Sequence, residues 1–274
     1  MITILGPTAT GKTTVAAALA RKIGGEIISA DSRQVFRRMD IGTGKDLRDY
    51  GSLSPSESPA EPFVPYHLID ICEPGTVYSV YQFQQDFWQA YHDITSRGKE
   101  VILCGGTGLY IESVLKGYEF PGHPDNQKIL ENPENPLHSG VASLDEDRHL
   151  FGLMVPREVR RERLTRRLYE RLDEGMVQEV QSLLDEGVDP EQLIRYGLEY
   201  KFVTQHLLGQ LSYDEMVSLL EIAIHQFAKR QMTWFRGMEE RRGEHIDWID
   251  GLLPLEDKVN YILDRVHPSQ DANS

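Results

Sequence analysis

Gly6-Pro7-Thr8-Ala9-Thr10-Gly11-Lys12-Thr13 combines two flanking glycines with hydroxyls and one amine. The chemistry these residue types support at this spacing is anion binding. Gly6 and Gly11 let successive backbone N–H groups converge on one point, and Lys12 offers an ammonium. Thr13 is placed to give its hydroxyl to a magnesium ion bridging phosphate oxygens. The apolar run Ile2–Leu5 and the alanine-rich stretch after Thr14 are the strand and helix that must hold such a loop, the helix adding its positive end. A plain turn between strand and helix is the weaker reading of a full pattern in this setting.

A second group of candidates stands elsewhere in the chain. Asp31 ends the predicted strand Glu26–Ala30, at the edge where open parallel sheets bind ligands. Composition leaves capping of the next turn and acid–base catalysis equally open for it. Gly105-Gly106-Thr107-Gly108 follows the predicted strand Glu100–Cys104, with Thr107 as its one side-chain donor. Beside a phosphate loop it reads as a second wall of the same pocket, or else as a turn that lets helix and strand pack closely. Residues 157–171 hold seven arginines against three glutamates, more than internal ion pairing requires, so phosphate contact is expected. His67 lacks Cys or acidic partners at metal-ligand spacing, which argues against zinc.

The chain has 274 residues, 40% hydrophobic and 26% charged, as expected of a soluble globular protein. Its net charge of −14 argues against a uniformly basic nucleic-acid binder but leaves room for a local basic face. No apolar run approaches the about 20 residues that cross a bilayer, and a signal peptide is not expected. Cys72 and Cys104 each sit in an apolar run and read as free thiols in a reducing cytoplasm.

The order strand, phosphate loop, helix, strand, helix predicts an α/β fold, a P-loop NTPase-like parallel sheet flanked by helices, with a helical C-terminal half. Helices are expected over Thr14–Lys22, Ser79–Ser96, Leu109–Lys116, about 174–186, about 190–208, Tyr213–Arg242 and Leu255–Val266. The apolar stripe Val80, Phe83, Phe87, Tyr91 and Ile94 is core. Strands are expected at Tyr66–Ile71, at His149–Val155 and, on an edge, at Ile246–Ile249. Residues 51–65 read as a surface loop and the last residues, PSQDANS, as a frayed tail. No acid ends the strand Glu100–Cys104, so a motor or switch ATPase is poorly supported. A small-molecule kinase, with the arginine-rich helix as lid, stays open on these grounds.

Taken together, the motifs resemble the tRNA dimethylallyltransferase (tRNA isopentenyltransferase) family. The resemblance is carried by GPTATGKT (6–13), SADSRQVFRRMDIGTGK (29–45), YHLIDICEPGTVYSVYQF (66–83), CGGTGLYIESVLKG (104–117) and AKRQMTWFR (228–236). It is close over 1–117 and looser over 149–249. It implies transfer of a dimethylallyl group from dimethylallyl diphosphate to N6 of the adenosine after the anticodon, in a cytoplasmic enzyme expected to be monomeric. The implied partners are the tRNA anticodon stem-loop and dimethylallyl diphosphate, with magnesium as cofactor and no membrane.

By the same resemblance the diphosphate lies against Gly6, Thr8, Thr10, Gly11, Lys12, Thr13 and Thr14, with Thr8 and Thr10 as hydroxyl donors and Thr13 at the metal. Arg163 and Arg167 contact phosphate, from alignment on Gly175 and Glu179-Val180. Asp31 takes a proton from the attacking amine, and Thr107 lies beside the reacting centre. Asp31, Ser32, Arg33, Gln34 and Thr107 meet the target nucleotide, and Lys229, Arg230 and Arg236 hold the RNA backbone. Residues 1–117 and 149–274 form the prenyltransferase core, and 118–148 a short insertion in place of the usual helical one. Tyr196–Lys201 only approximates the family's GY-[KR]-[EQ] segment. A relative that prenylates free adenine nucleotides stays open for these reasons.

Overall fold

All six strands run in one direction, so every loop that follows a strand emerges at one edge of the sheet. The strands are β1 (Ile2–Leu5), β2 (Glu26–Ala30), β3 (Tyr66–His67), β4 (Val101–Gly105), β5 (His149–Met154) and β6 (Asp247–Asp250), in the order β3-β2-β4-β1-β5-β6. The register sets Ile4 beside Cys104 and Phe151, and Ala30 beside Gly105. The computed structural model describes residues 1–51, 62–120, 144 and 148–267. Most of the expected 51–65 loop, most of the 118–148 insertion and the expected frayed tail lie outside the described residues.

Alternation along the strands splits the core into two faces. Ile2, Ile4, Ile27 and Ile102 pack with α1 (Lys12–Ile23) and with Val259 and Ile262 of the C-terminal helix Leu255–Val266. Leu5, Ile28 and Leu103 pack instead against α2 (Val80–Ser96), α3 (Gly108–Lys116) and Phe235 of a long helix, Tyr213–Arg242. Within the α2 stripe, Phe83, Phe87 and Ile94 are fully buried, with Val80 and Tyr91 packed beside them. Ser79 and Gln82 cap that helix reciprocally, which fixes its start.

A third core belongs to the helices α4 (Arg157–Asp173), α5 (Met176–Asp185), α6 (Pro190–Tyr196), α7 (Leu198–Leu207) and α8 (Tyr213–Arg242), while α9 (Leu255–Val266) packs with α1 on the first face of the sheet. Val35, Phe36 and Met39 enter this helical core and tie it to the segment after β2. The stretch expected as one helix over about 190–208 is two. Gly197 breaks it with φ 149, a backbone state open to glycine, between α6 and α7.

The run Tyr66–Ile71 is likewise shorter as a strand than its apolar character suggests. Only Tyr66 and His67 pair with β2, because Leu68 and Asp70 take left-handed backbones with φ 62 and 56. Asp70 thereby accepts from Lys45 Nζ at 2.5 Å. His67 contacts Glu26 Oε2 at 2.8 Å. Cys104 is buried and Cys72 half-buried, and both are free thiols. Among the described residues no helix is long and apolar enough to cross a membrane.

Candidate active site

The loop after β1 turns on Gly11, which caps α1 with φ 84, and on Ala9, also left-handed at φ 64. Lys12 Nζ donates to the carbonyl of Pro7 at 2.8 Å, so the ammonium is drawn across the loop. Its surroundings depress it: burial lowers Lys12 to about 8, against the pull of Cys104 and Asp31, with Arg167 adding repulsion. Thr13 lines the cavity in front of the loop. Thr14 lines it too and donates to the carboxylate of Asp49 at 3.2 Å. Thr10 departs from expectation. Its hydroxyl is buried and donates to Pro7 O at 2.9 Å, so it braces the loop from within instead of facing an anion.

Asp31 stands across this cavity. One of its oxygens, Oδ1, accepts from the N–H of Arg33 at 3.0 Å, the capping bond that composition allowed. Oδ2 has no hydrogen bond among the described residues, and Asp31 lines the cavity together with Lys12 and Thr107. Capping and exposure to a ligand are therefore combined in one carboxylate. Thr107 N donates to Ala30 O at 3.1 Å, and Thr107 Oγ1 accepts from Ser32 N at 3.1 Å. These bonds join the turn after β2 to the turn after β4 as one wall.

The third side is basic. Arg163 and Arg167 of α4 line the cavity, and Arg167 Nη2 donates to Gly44 O at 3.1 Å. Burial, then the neighbouring Arg171, lowers the Arg167 guanidinium to about 10. Glu199 lies 3.4 Å from Arg171 and 3.6 Å from Arg33. Gln34 Nε2 reaches Gly44 O at 3.4 Å. The 40–44 turn that presents Gly44 is itself held by Glu179, whose carboxylate accepts from the N–H groups of Asp40, Ile41 and Gly42 at 2.7 to 3.0 Å. The cavity measures about 450 Å³.

Lys229, Arg230 and Arg236 do not line this cavity. They are exposed along α8, where Arg230 lies 5.9 Å from the ring of Phe227. Phe227 and Gln231 of the same helix do line it, with Arg33 stacked 5.0 Å over Phe227. The sequence reading gives neither a role, although Gln231 falls within AKRQMTWFR (228–236) and the i,i+4 spacing puts the two on one helix face. Glu179 and Glu199 carry no role in the sequence reading, although Glu179 anchors the alignment that places Arg163 and Arg167 and Glu199 falls within Tyr196–Lys201.

A family model described as IPP transferase matches residues 34–150 and 133–238, and one described as isopentenyl transferase matches residues 1–50. The chain belongs to the IPP transferase family. Among its relatives, tRNA dimethylallyltransferase 1 of Parabacteroides distasonis is 50% identical over 94% of this chain and 95% of that protein. tRNA dimethylallyltransferase 2 of Phocaeicola vulgatus is 48% identical over 97% of each. The first alignment runs over 299 positions. This exceeds the 274 residues of the chain, so the Parabacteroides relative carries residues that this IPP transferase family member lacks. The crystal structure of the full-length tRNA isopentenylpyrophosphate transferase from Bacillus halodurans superposes with a TM-score of 0.76 at 28% identity, covering 97% of this chain and 94% of that one.

Proposed function

We propose that the protein transfers a dimethylallyl group from dimethylallyl diphosphate to N6 of the adenosine that follows the anticodon in tRNA, releasing diphosphate. The observation that carries this reading is that Asp31 and Thr107 line the same cavity as the amide-rich loop of Lys12. A group leaving as an anion and an amine losing a proton need just these two walls.

The amine nitrogen attacks C1 of the allyl group while the bond from C1 to the diphosphate oxygen breaks. Loop amides, Lys12, Arg163 and Arg167 stabilise the charge that accumulates on the departing diphosphate. Asp31 accepts the N6 proton, which an exocyclic adenine amine gives up readily only as its bond to carbon forms. The target base leaves its stack to reach the cavity, as in other base-modifying enzymes. Ser32, Arg33 and Gln34 adjoin Asp31 for contact with that nucleotide, and exposed Lys229, Arg230 and Arg236 suit the RNA backbone.

Magnesium fits the donors present, the Thr13 hydroxyl with the Asp49 carboxylate lining the same cavity. Such an ion takes one or two carboxylates and completes its shell with phosphate oxygens and water. When bound it supplies positive charge to the leaving oxygens.

The test is incubation with labelled dimethylallyl diphosphate, magnesium, an unmodified anticodon stem-loop and competing AMP. Label on the RNA is expected. Label on AMP alone would replace the acceptor with a free nucleotide, and phosphate transfer from ATP without allyl transfer would replace the reaction with that of a kinase.

A further inference from the structure

Gln231 lies well inside the 30-residue helix α8, and its carboxamide makes two bonds of opposite sense at the cavity wall. Oε1 accepts the N–H of Thr8 at 2.9 Å, and Nε2 donates to the carbonyl of Gly106 at 2.9 Å. Thr8 belongs to the loop of Lys12, and Gly106 directly precedes Thr107. A carboxamide holds an acceptor and a donor on one rigid plane, which a carboxylate or a hydrocarbon of similar size does not. The fit at Gly106 is close, since a Cβ built there would lie 2.7 Å from Nε2. The bond to Thr8 also takes one loop amide out of use, leaving the anion to the amides that follow and to Lys12.

We infer that Gln231 is a positioning residue that sets the distance between the cradle of the leaving group and the wall carrying Asp31 and Thr107. Gln231 acts through Thr8 and Gly106. In the transfer, the C1–oxygen bond breaks on the loop side while the new N6–C1 bond and the proton transfer to Asp31 belong to the opposite wall. The line of attack spans the gap, so an error in the gap enters the barrier more than the affinity for diphosphate. This role rests on the prenyl-transfer reading of the cavity.

Variants are compared with the parent protein by labelled transfer to the stem-loop, by calorimetric binding of inorganic pyrophosphate, and by thermal melting. Gln231→Ala and Gly106→Ala are each expected to lower kcat about 100-fold, the order attached to a misplacement of about 1 Å. Pyrophosphate Kd is expected to stay within about threefold, because Lys12, Arg163 and Arg167 remain. Combining the two substitutions should add little, since each breaks the same link. Gln231→Glu keeps an acceptor for Thr8 but sets a carboxylate against the carbonyl of Gly106. Its activity relative to the parent should rise as pH falls from about 8 to about 5, because protonation restores the donor. A ratio that is flat with pH overturns the role. So does a Gln231→Ala kcat within about threefold of the parent, or kcat and pyrophosphate affinity falling in parallel with melting temperature. A parent that labels no RNA sinks the prenyl-transfer reading itself, and this role with it.

Discussion

The main-chain N–H of Ser32 donates to the hydroxyl oxygen of Thr107 at 3.1 Å, across a separation of 75 residues in the sequence. This bond couples the turn holding Asp31 to the turn ending β4. The carboxylate thus faces the phosphate loop from a support that neither turn provides alone.

Replacing Thr107 tests that coupling. Thr107→Val leaves the half-buried Ser32 N–H without its acceptor, a loss of about 1–1.5 kcal/mol. If this is expressed at the reacting centre, kcat falls about 10-fold. Thr107→Ser keeps the oxygen and should stay within about threefold of the parent in labelled transfer to the stem-loop. Equal rates for the valine and serine variants would remove the hydroxyl from the catalytic wall.

Asp31→Asn keeps the side chain's shape and its capping oxygen but removes the base. Turnover is expected to fall by at least about 100-fold, while pyrophosphate binding is unchanged. The comparison is made under single-turnover conditions with saturating RNA, so that a loss of affinity is not mistaken for a loss of chemistry. Retained turnover would show that another group takes the proton.

Lys12 gives a pH dependence with a definite sign. Burial lowers its ammonium from the usual lysine range to about 8, so the positive charge is present below that pH and is lost above it. Pyrophosphate binding should therefore weaken as pH rises through about 8 and should take up protons there. Lys12→Arg stays charged throughout and should bind with a flatter profile. Calorimetry in buffers of different ionisation enthalpy reads the proton uptake directly.

Glu26 gives a second pH dependence, far from the cavity. Arg97 holds its carboxyl down to about 2, with His67 assisting against the cost of burial. A carboxyl depressed by folding contributes stability above the ordinary glutamate range, near pH 4, and loses it as pH falls toward the folded value. The melting-temperature gap between the parent and Glu26→Gln should be widest near pH 7 and close by about pH 2. The size of the gap is moderated because Arg97 is 43% exposed.

Much of the cavity was legible because its chemistry sits in short local patterns. The phosphate loop, Asp31 at the end of β2 and Thr107 after β4 are each announced by glycines or an acid beside an apolar run. What the sequence hid depends on contacts between distant segments. Gln231 looks like any polar residue on a long helix until Thr8 and Gly106 are seen at either end of its amide. Thr10 shares its residue type with Thr8 and Thr13, and only the path of the loop turns its hydroxyl onto Pro7. The Tyr66–Ile71 run fails as a full strand because Leu68 and Asp70 turn left-handed, which brings Asp70 to Lys45, a partner 25 residues away. Gly197 ends α6 inside a run whose helical periodicity continues on both sides, so period alone could not locate the break.

Helix α3 begins at Gly108, next to the reacting wall, and ends at Lys116. At 1.5 Å per residue its nine residues carry the chain about 13 Å away before the backbone turns at Gly117. That rod works as a stand-off. Whatever follows it can lengthen, shrink or be exchanged over evolutionary time while the hydroxyl at its near end keeps its station.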